Sequence, residues 1–156
     1  MKIKTISIDF DGVIHTYDKG WSDGSIYGGL VPGAKEFLIN SHKKGHPIFI
    51  MSTRNPVQIY VWIQKQIPEL TFGLVTQGTF FNRKDFIGIT NIKLAADIYI
   101  DDRAYTFKGY FPDVDKFETY QEREKRRRVC PNKDENGDCP LHNIYCSYPD
   151  CELKEL

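Results

Sequence analysis

Apolar and polar positions along the chain fall into short runs divided by turn residues, and the period of each run predicts an element. Ile3 to Asp9 is apolar and β-branched and reads as a buried strand with Asp9 at its carboxyl end. The stretch from Gly12 to Gly29 is polar and glycine-rich around Tyr17, Trp21 and Tyr27. Pro32 then opens a helix carrying Ala34, Phe37, Leu38 and His42, with Gly45 as its C-terminal stop. A second buried strand, Pro47 to Met51, runs into Ser52-Thr53-Arg54. Asn55-Pro56 starts another helix, the Asn as cap and the Pro in the first turn, and Val57, Tyr60, Val61 and Ile63 predict its inward face. A third strand, Phe72 to Val75, is followed by an irregular stretch as far as Asn91. A brief helical segment from Lys93 to Ala96 leads into a fourth strand, Ile98 to Ile100, which ends in Asp101-Asp102.

Strands alternating with helices predict a parallel sheet with right-handed crossovers. The expected fold class is therefore α/β, a Rossmann-like three-layer sandwich around a mostly parallel sheet. After Pro112 the character changes: Lys116 to Arg128 is charged and reads as a helix, and the remainder is rich in Cys, Pro, Asn and Gly. Residues 1–112 are thus expected to form a core and residues 113–156 an irregular, cysteine-bearing extension.

Charge narrows the partners. Lys and Arg number 21 and Asp and Glu number 21, so the net charge is zero and the general electrostatic case for a nucleic-acid or anionic-membrane binder is absent. A local basic run, Arg123 to Arg128, keeps docking of a phosphate-bearing polymer open beside the ordinary reading of a solvated helix end. No run approaches the roughly 18 apolar residues of a membrane span. The opening Met-Lys-Ile-Lys is followed by Thr5, Ser7 and Asp9, too polar for a secretory signal, so the cytoplasm is the expected compartment and disulfides are not expected there.

Four polar clusters mark the chemistry: Asp9-Phe10-Asp11-Gly12, Ser52-Thr53-Arg54, Lys93, and Asp101-Asp102. Each stands at the carboxyl end of an expected strand or just before one. In an open parallel sheet those ends gather on one edge, where ligands bind. Acids from two ends, a hydroxyl and a lysine together supply a site for a hard cation and for phosphate.

In this order the clusters resemble the four motifs of the haloacid dehalogenase-like phosphohydrolase superfamily. Asp9-Phe10-Asp11-Gly12-Val13 resembles the first, Ser52 the second, Lys93 the third and Asp101-Asp102 the fourth; Lys93 to Arg103 is similar to the end of small bacterial and phage members. The resemblance covers residues 1–112 and leaves the extension unexplained. It implies a magnesium-dependent phosphomonoester hydrolase in which Asp9 attacks phosphorus to give an aspartyl-phosphate, and Asp11 serves as general acid and then base. Asp9, the backbone carbonyl of Asp11 and Asp101 would hold Mg2+, with Asp102 orienting the shell. Ser52 would bond a phosphoryl oxygen and Lys93 offset its charge, with Thr53 and Arg54 as further substrate contacts.

Some choices stay open in the sequence. Lys84, within Asn82-Arg83-Lys84-Asp85, competes with Lys93. Arg54 and Arg103 are as readily surface ion-pair residues as substrate contacts. Tyr17, Trp21 and Tyr27 either stack on a substrate ring or pack a glycine-rich flap. Only 20 residues stand between Asp11 and Pro32, so no cap domain fits there and an open site is expected. A phosphotransferase or phosphomutase of the same superfamily is an alternative, as is a non-catalytic binding module. The module's signature would be loss of Asp9 or Asp11, and both are present.

Every cysteine lies in the extension, spaced Cys130-x8-Cys139-x6-Cys146-x4-Cys151 with His142 between. Four soft ligands suit a tetrahedral Zn2+, although no Cys-x-x-Cys knuckle is present; free or partly buried thiols are the plainer reading. Asp134 to Asp138 starts like a calcium loop, but Cys139 occupies the required Gly position and Tyr145 the final Glu.

Overall fold

The computed structural model describes residues 2–104 and, beyond them, residues 106, 108, 109, 111, 114–117, 119 and 122. Strand β1 (Ile6–Asp9), helix α1 (Ala34–Lys43), strand β2 (Ile48–Met51), helix α2 (Pro56–Gln66) and strands β3 (Phe72–Leu74), β4 (Ile87–Thr90) and β5 (Ile98–Ile100) follow along the chain. The strands form one sheet in the order β3-β4-β2-β1-β5, and every pairing is parallel. The fold is α/β, as the alternation of elements predicts. From β1 the chain runs to one side of the sheet through β2, β3 and β4, then places β5 on β1's other side. The topological switch therefore falls between β1 and β5, where open α/β sheets bind ligands.

The chain divides after Ala104 into two compact units. In the second, Val114–Lys116 make one 3-10 turn. The Thr119 backbone N–H donates to Glu122 Oε2 at 2.7 Å, and the Glu122 N–H donates back to Thr119 Oγ1 at 3.3 Å. This reciprocal pair is a capping box, the pattern with which helices begin. The basic run Arg123–Arg128, His142, the Asp134–Asp138 segment and all four cysteines lie outside the described residues.

Strand periodicity sorts the side chains between two faces. Ile6, Ile8, Ile48, Ile50, Ile87 and Ile89 point to one face and form a single cluster with Leu38 of α1, Ile59 and Ile63 of α2, and Ile67. Each fully buried Ile contributes about 1.5–3 kcal/mol of apolar transfer, so this face is the main source of stability. Both helices lie on it. On the opposite face, expected to carry helices too, the described residues that pack against β2 are loop. Gly73 and Gly88 stand directly opposite one another in the β3–β4 register. A Cβ on Gly73 would come within 2.7 Å of the Phe86 ring, and one on Gly88 within 2.9 Å of Phe81. Two bare backbones thus admit two aromatic rings, and Phe81 continues edge-on to Phe49 of β2 at 5.9 Å. Leu94, also buried, completes this smaller cluster.

Several expected boundaries move. β1 starts at Ile6, and Ile3 is exposed. β4 lies inside the stretch expected to be irregular, because Gly88 interrupts its apolar run. Lys93 to Ala96 is not helical: Ala95 bridges to Phe80. The Tyr99 hydroxyl donates to Leu94 O at 2.8 Å and accepts from the Ala96 N–H at 3.1 Å, clamping the segment as loop. In α2 the buried residues are Ile59 and Ile63, while Val57 and Val61 are half-exposed, about 200° round the helix from the buried row. Asn55 does cap α2, its side chain accepting from the Val57 N–H at 2.9 Å. Gly45 closes α1 at φ 77° with its N–H donated to His42 O. Between β1 and α1, residues 12–31 form only isolated bridges, Asp11 with His15 and His15 with Leu30, and no cap domain. Among the described residues, no helix is long and apolar enough to cross a membrane.

The glycine–aromatic packing yields a direct test. Gly88→Val forces Phe81 and Val75 aside. Urea unfolding should therefore show a loss of about 1–3 kcal/mol. An unchanged midpoint would mean that these rings do not hold the loop layer to the sheet.

Candidate active site

The site begins with the way β1 ends. Alternation sends Phe10 to the apolar face, where it is fully buried and edge-on to Trp62 at 5.3 Å. Asp9 and Asp11 are left facing the other way. The Phe10 carbonyl accepts from the N–H groups of Ile14 and His15, and the Gly12 N–H donates to His15 O at 2.8 Å, so the chain turns tightly after the strand. Gly12 meets two demands at once. Its φ is 88°, and a Cβ there would lie 2.9 Å from Asp102 Oδ2.

Parallel pairing of β1 with β5 brings Asp101 and Asp102 beside Asp9. Carboxylate oxygens of the three lie within 4.8 Å of one another. Burial, followed by the charge of Asp101, pushes the Asp9 pKa up to about 7; a hydrogen bond from the Phe10 backbone opposes the rise. Crowded hard oxygens of one sign, one of them held back from ionising, form a donor set that fits a small divalent cation. The Asp11 side chain is not one of this group.

Asp11 has other partners. Arg54 Nε donates to its Oδ2 at 2.8 Å and to its Oδ1 at 3.0 Å. His15 Nδ1 lies 2.9 Å from Oδ1, and the Gly28 N–H donates to His15 Nε2 at 3.1 Å. The second bond fixes the first: Nε2 carries the lone pair, so the ring proton sits on Nδ1 and is donated to Asp11. Burial alone would raise the Asp11 pKa, but the hydrogen bonds from His15 and Arg54, with the Arg54 charge, bring it below the usual carboxylate range. Asp11 is therefore a carboxylate at rest.

Arg54 is the largest departure from expectation. It is only 1% exposed, neither a surface ion-pair residue nor part of the cleft lining. Its guanidinium lies between Asp11 and the Trp21 ring, 4.6 Å from the ring centroid, and Nη1 donates to Gly24 O at 2.6 Å. Its backbone N–H donates to Ser52 Oγ at 3.2 Å, which leaves the Ser52 hydroxyl proton available to a ligand.

An open cleft of about 330 Å³ gathers the sequence-predicted residues Asp9, Asp11, Ser52, Thr53, Lys93 and Asp101. Asp102 lies beneath, its side chain 4% exposed. Lys93 lines the cleft and Lys84 does not. Tyr17, Trp21, Met51, Asn91 and Arg103 complete the walls, and Tyr27 lies outside them. The Arg103 backbone N–H donates to Asp101 Oδ1 at 2.7 Å, and Arg103 Nε is 3.5 Å from Asp102 Oδ1. Asn91 and His15 carry no spacing signal that would single them out in the sequence. A second hollow of about 360 Å³, between Lys2, Lys4, Phe37 and Lys44, contains no carboxylate.

Fold and site together define a parallel α/β protein with an acidic cluster at its topological switch. No protein-family model and no curated protein matches the chain. Among solved structures it is similar to a conserved protein from Bacteroides thetaiotaomicron, with 21% identity and a TM-score of 0.44 over 78% of this chain and 97% of that one. A likeness of that degree assigns no family and carries no weight for any activity.

The raised Asp9 pKa makes stability depend on pH. A carboxyl whose folded pKa lies above its unfolded 3.8 weakens the fold as pH rises through about 7. In metal-free protein, Asp101→Asn should raise Tm at pH 8 by a few degrees, about 1 kcal/mol, and change it little at pH 5, where Asp9 is already protonated. Added magnesium should raise Tm in the parent and much less in the variant. A lower Tm for the variant at pH 8 would contradict the repulsion.

Proposed function

We propose that the protein is a magnesium-dependent phosphomonoester hydrolase of the haloacid dehalogenase-like type, with Asp9 as nucleophile. One observation carries the reading: Asp9 shares a cleft with Asp101, a buried serine hydroxyl and Lys93, and carboxylate oxygens of Asp9, Asp101 and Asp102 lie within 4.8 Å of one another. Asp9, Asp101, the Asp11 backbone carbonyl and, from beneath, Asp102 would hold Mg2+. When bound, the metal supplies positive charge beside the nucleophile and the phosphoryl group.

The remaining chemistry belongs to side chains of this chain. An Asp9 oxygen attacks phosphorus, the bond to the leaving oxygen breaks, and an aspartyl-phosphate forms. Ser52 donates its free hydroxyl proton to a phosphoryl oxygen, and Lys93 balances the charge gathered there. Asp11 then takes a proton from water as that water attacks phosphorus. The Asp9–phosphate bond breaks and inorganic phosphate leaves. His15 and Arg54 keep Asp11 ionised, which suits this second half-reaction. In the first half Asp11 has to carry a proton, so esters whose leaving oxygen needs no proton are favoured.

That asymmetry sets the test. Phosphate release is measured from an aryl and an alkyl phosphomonoester, with magnesium and with chelator. Both activities should require magnesium and vanish in Asp9→Asn. Asp11→Asn should slow the alkyl ester about 10²–10⁴-fold and the aryl ester distinctly less. Equal losses would remove Asp11 from protonation of the leaving oxygen, and undiminished activity in Asp9→Asn would remove the nucleophile.

A further inference from the structure

The phosphoryl chemistry uses the floor of the cleft and leaves one wall unexplained. Tyr17 and Trp21, both from the glycine-rich segment after β1, line that wall. Trp21 is 53% exposed. A single exposed tryptophan is unremarkable on a protein surface, but this one is held in place. The Arg54 guanidinium stacks 4.6 Å from its centroid. Gly24, at φ 81°, approaches so closely that a Cβ there would lie 3.2 Å from the indole. Arg54 is in turn fixed by Asp11 and by the Gly24 carbonyl. Tyr17 has the same guanidinium 5.7 Å from its ring centroid, and that of Arg103 at the same distance. Two aromatic rings are thus set against cations, at the mouth of a cleft whose floor holds Asp9.

One face of the Trp21 ring covers the buried Arg54, and the exposed remainder of the ring lines the cleft, where a ligand can reach it. A half-exposed ring, fixed beforehand by a cation and a glycine, loses little freedom when a flat ligand stacks on it. Bases stack on such rings without regard to sequence, since each has a π-face.

We infer that Tyr17 and Trp21 form a stacking wall for a planar ring carried by the substrate, which makes the substrate class nucleoside monophosphates, free or at the end of a nucleic-acid strand. The inference rests on the phosphomonoester reading and deepens it: phosphate goes to Asp9, Ser52 and Lys93, and the base to the wall. Selectivity for the base then resides in the segment after β1.

Binding is measured by calorimetry on Asp9→Asn protein with magnesium, so that no turnover intervenes. The probes are adenosine 5′-monophosphate, ribose 5-phosphate and a short 5′-phosphorylated oligonucleotide. The mononucleotide should bind at least about tenfold tighter than ribose 5-phosphate. Trp21→Leu should erase that preference by weakening the nucleotide alone, and Trp21→Phe should retain most of it. Loss of both ligands in equal proportion would mean that Trp21 only shields Arg54, and would overturn the wall. Equal affinity for the two ligands before mutation would overturn it as well. Binding of neither ester would instead overturn the phosphate site, and the wall with it. A tighter oligonucleotide than mononucleotide assigns the strand end as the source, and the reverse assigns the free nucleotide.

Discussion

Three carboxylates held within 4.8 Å of one another are the constraint around which this protein is arranged. Nothing local places them there. Asp9 and Asp101 are far apart in the chain and meet because β1 and β5 pair in parallel with Ile8 opposite Ile100. The stabilising face of the sheet, built from isoleucines and two helices, fixes that register while the acids repel one another at its edge. On the proposed reading a cation would turn that repulsion into binding, so the least favourable contact of the fold would also be its most specific chemical feature.

A second tier of order surrounds Asp11. A buried guanidinium is tolerated only with its charge met, and here Nε and Nη1 are hydrogen-bonded while Nη2 is buried without a partner. Arg54 finds Asp11 on one side, the Trp21 ring on another and the Gly24 carbonyl at Nη1. His15 is fully buried beside Asp11, with both ring nitrogens engaged. The segment after β1 is thereby tied to the floor of the cleft rather than lying loose over it. A Cβ on Gly28 would strike Thr16 and crowd His15, so Gly28, like Gly24 against Trp21, serves close packing.

Much of this was legible in the sequence because it depends on short-range pattern. Apolar runs ending in Asp9, Ser52 and Asp101 place those residues on one edge once the strands are read as parallel. Asn55-Pro56 and Gly45 mark helix ends by chemistry that acts over two or three residues. What escaped depends on distant partners. Gly88 looks like a break in an apolar run until Phe81 is seen to need its space. Leu94, Ala95 and Ala96 suit a helix until the Tyr99 hydroxyl bonds them as loop. Arg54 reads as a surface charge because Asp11 is 43 residues away, and the segment that buries it has no periodicity. His15 was missed for a related reason: its role is set by Gly28, across a turn.

The central claim is that Asp9 becomes covalently phosphorylated during turnover, and one experiment addresses it directly. Protein mixed with an aryl phosphate and magnesium is quenched in acid within the first turnovers, digested and weighed by mass spectrometry. The account predicts one added phosphoryl group on the peptide containing Asp9, absent with chelator and absent in Asp9→Asn. Phosphate release with that peptide unmodified, or a phosphoryl group on any other residue, would contradict it.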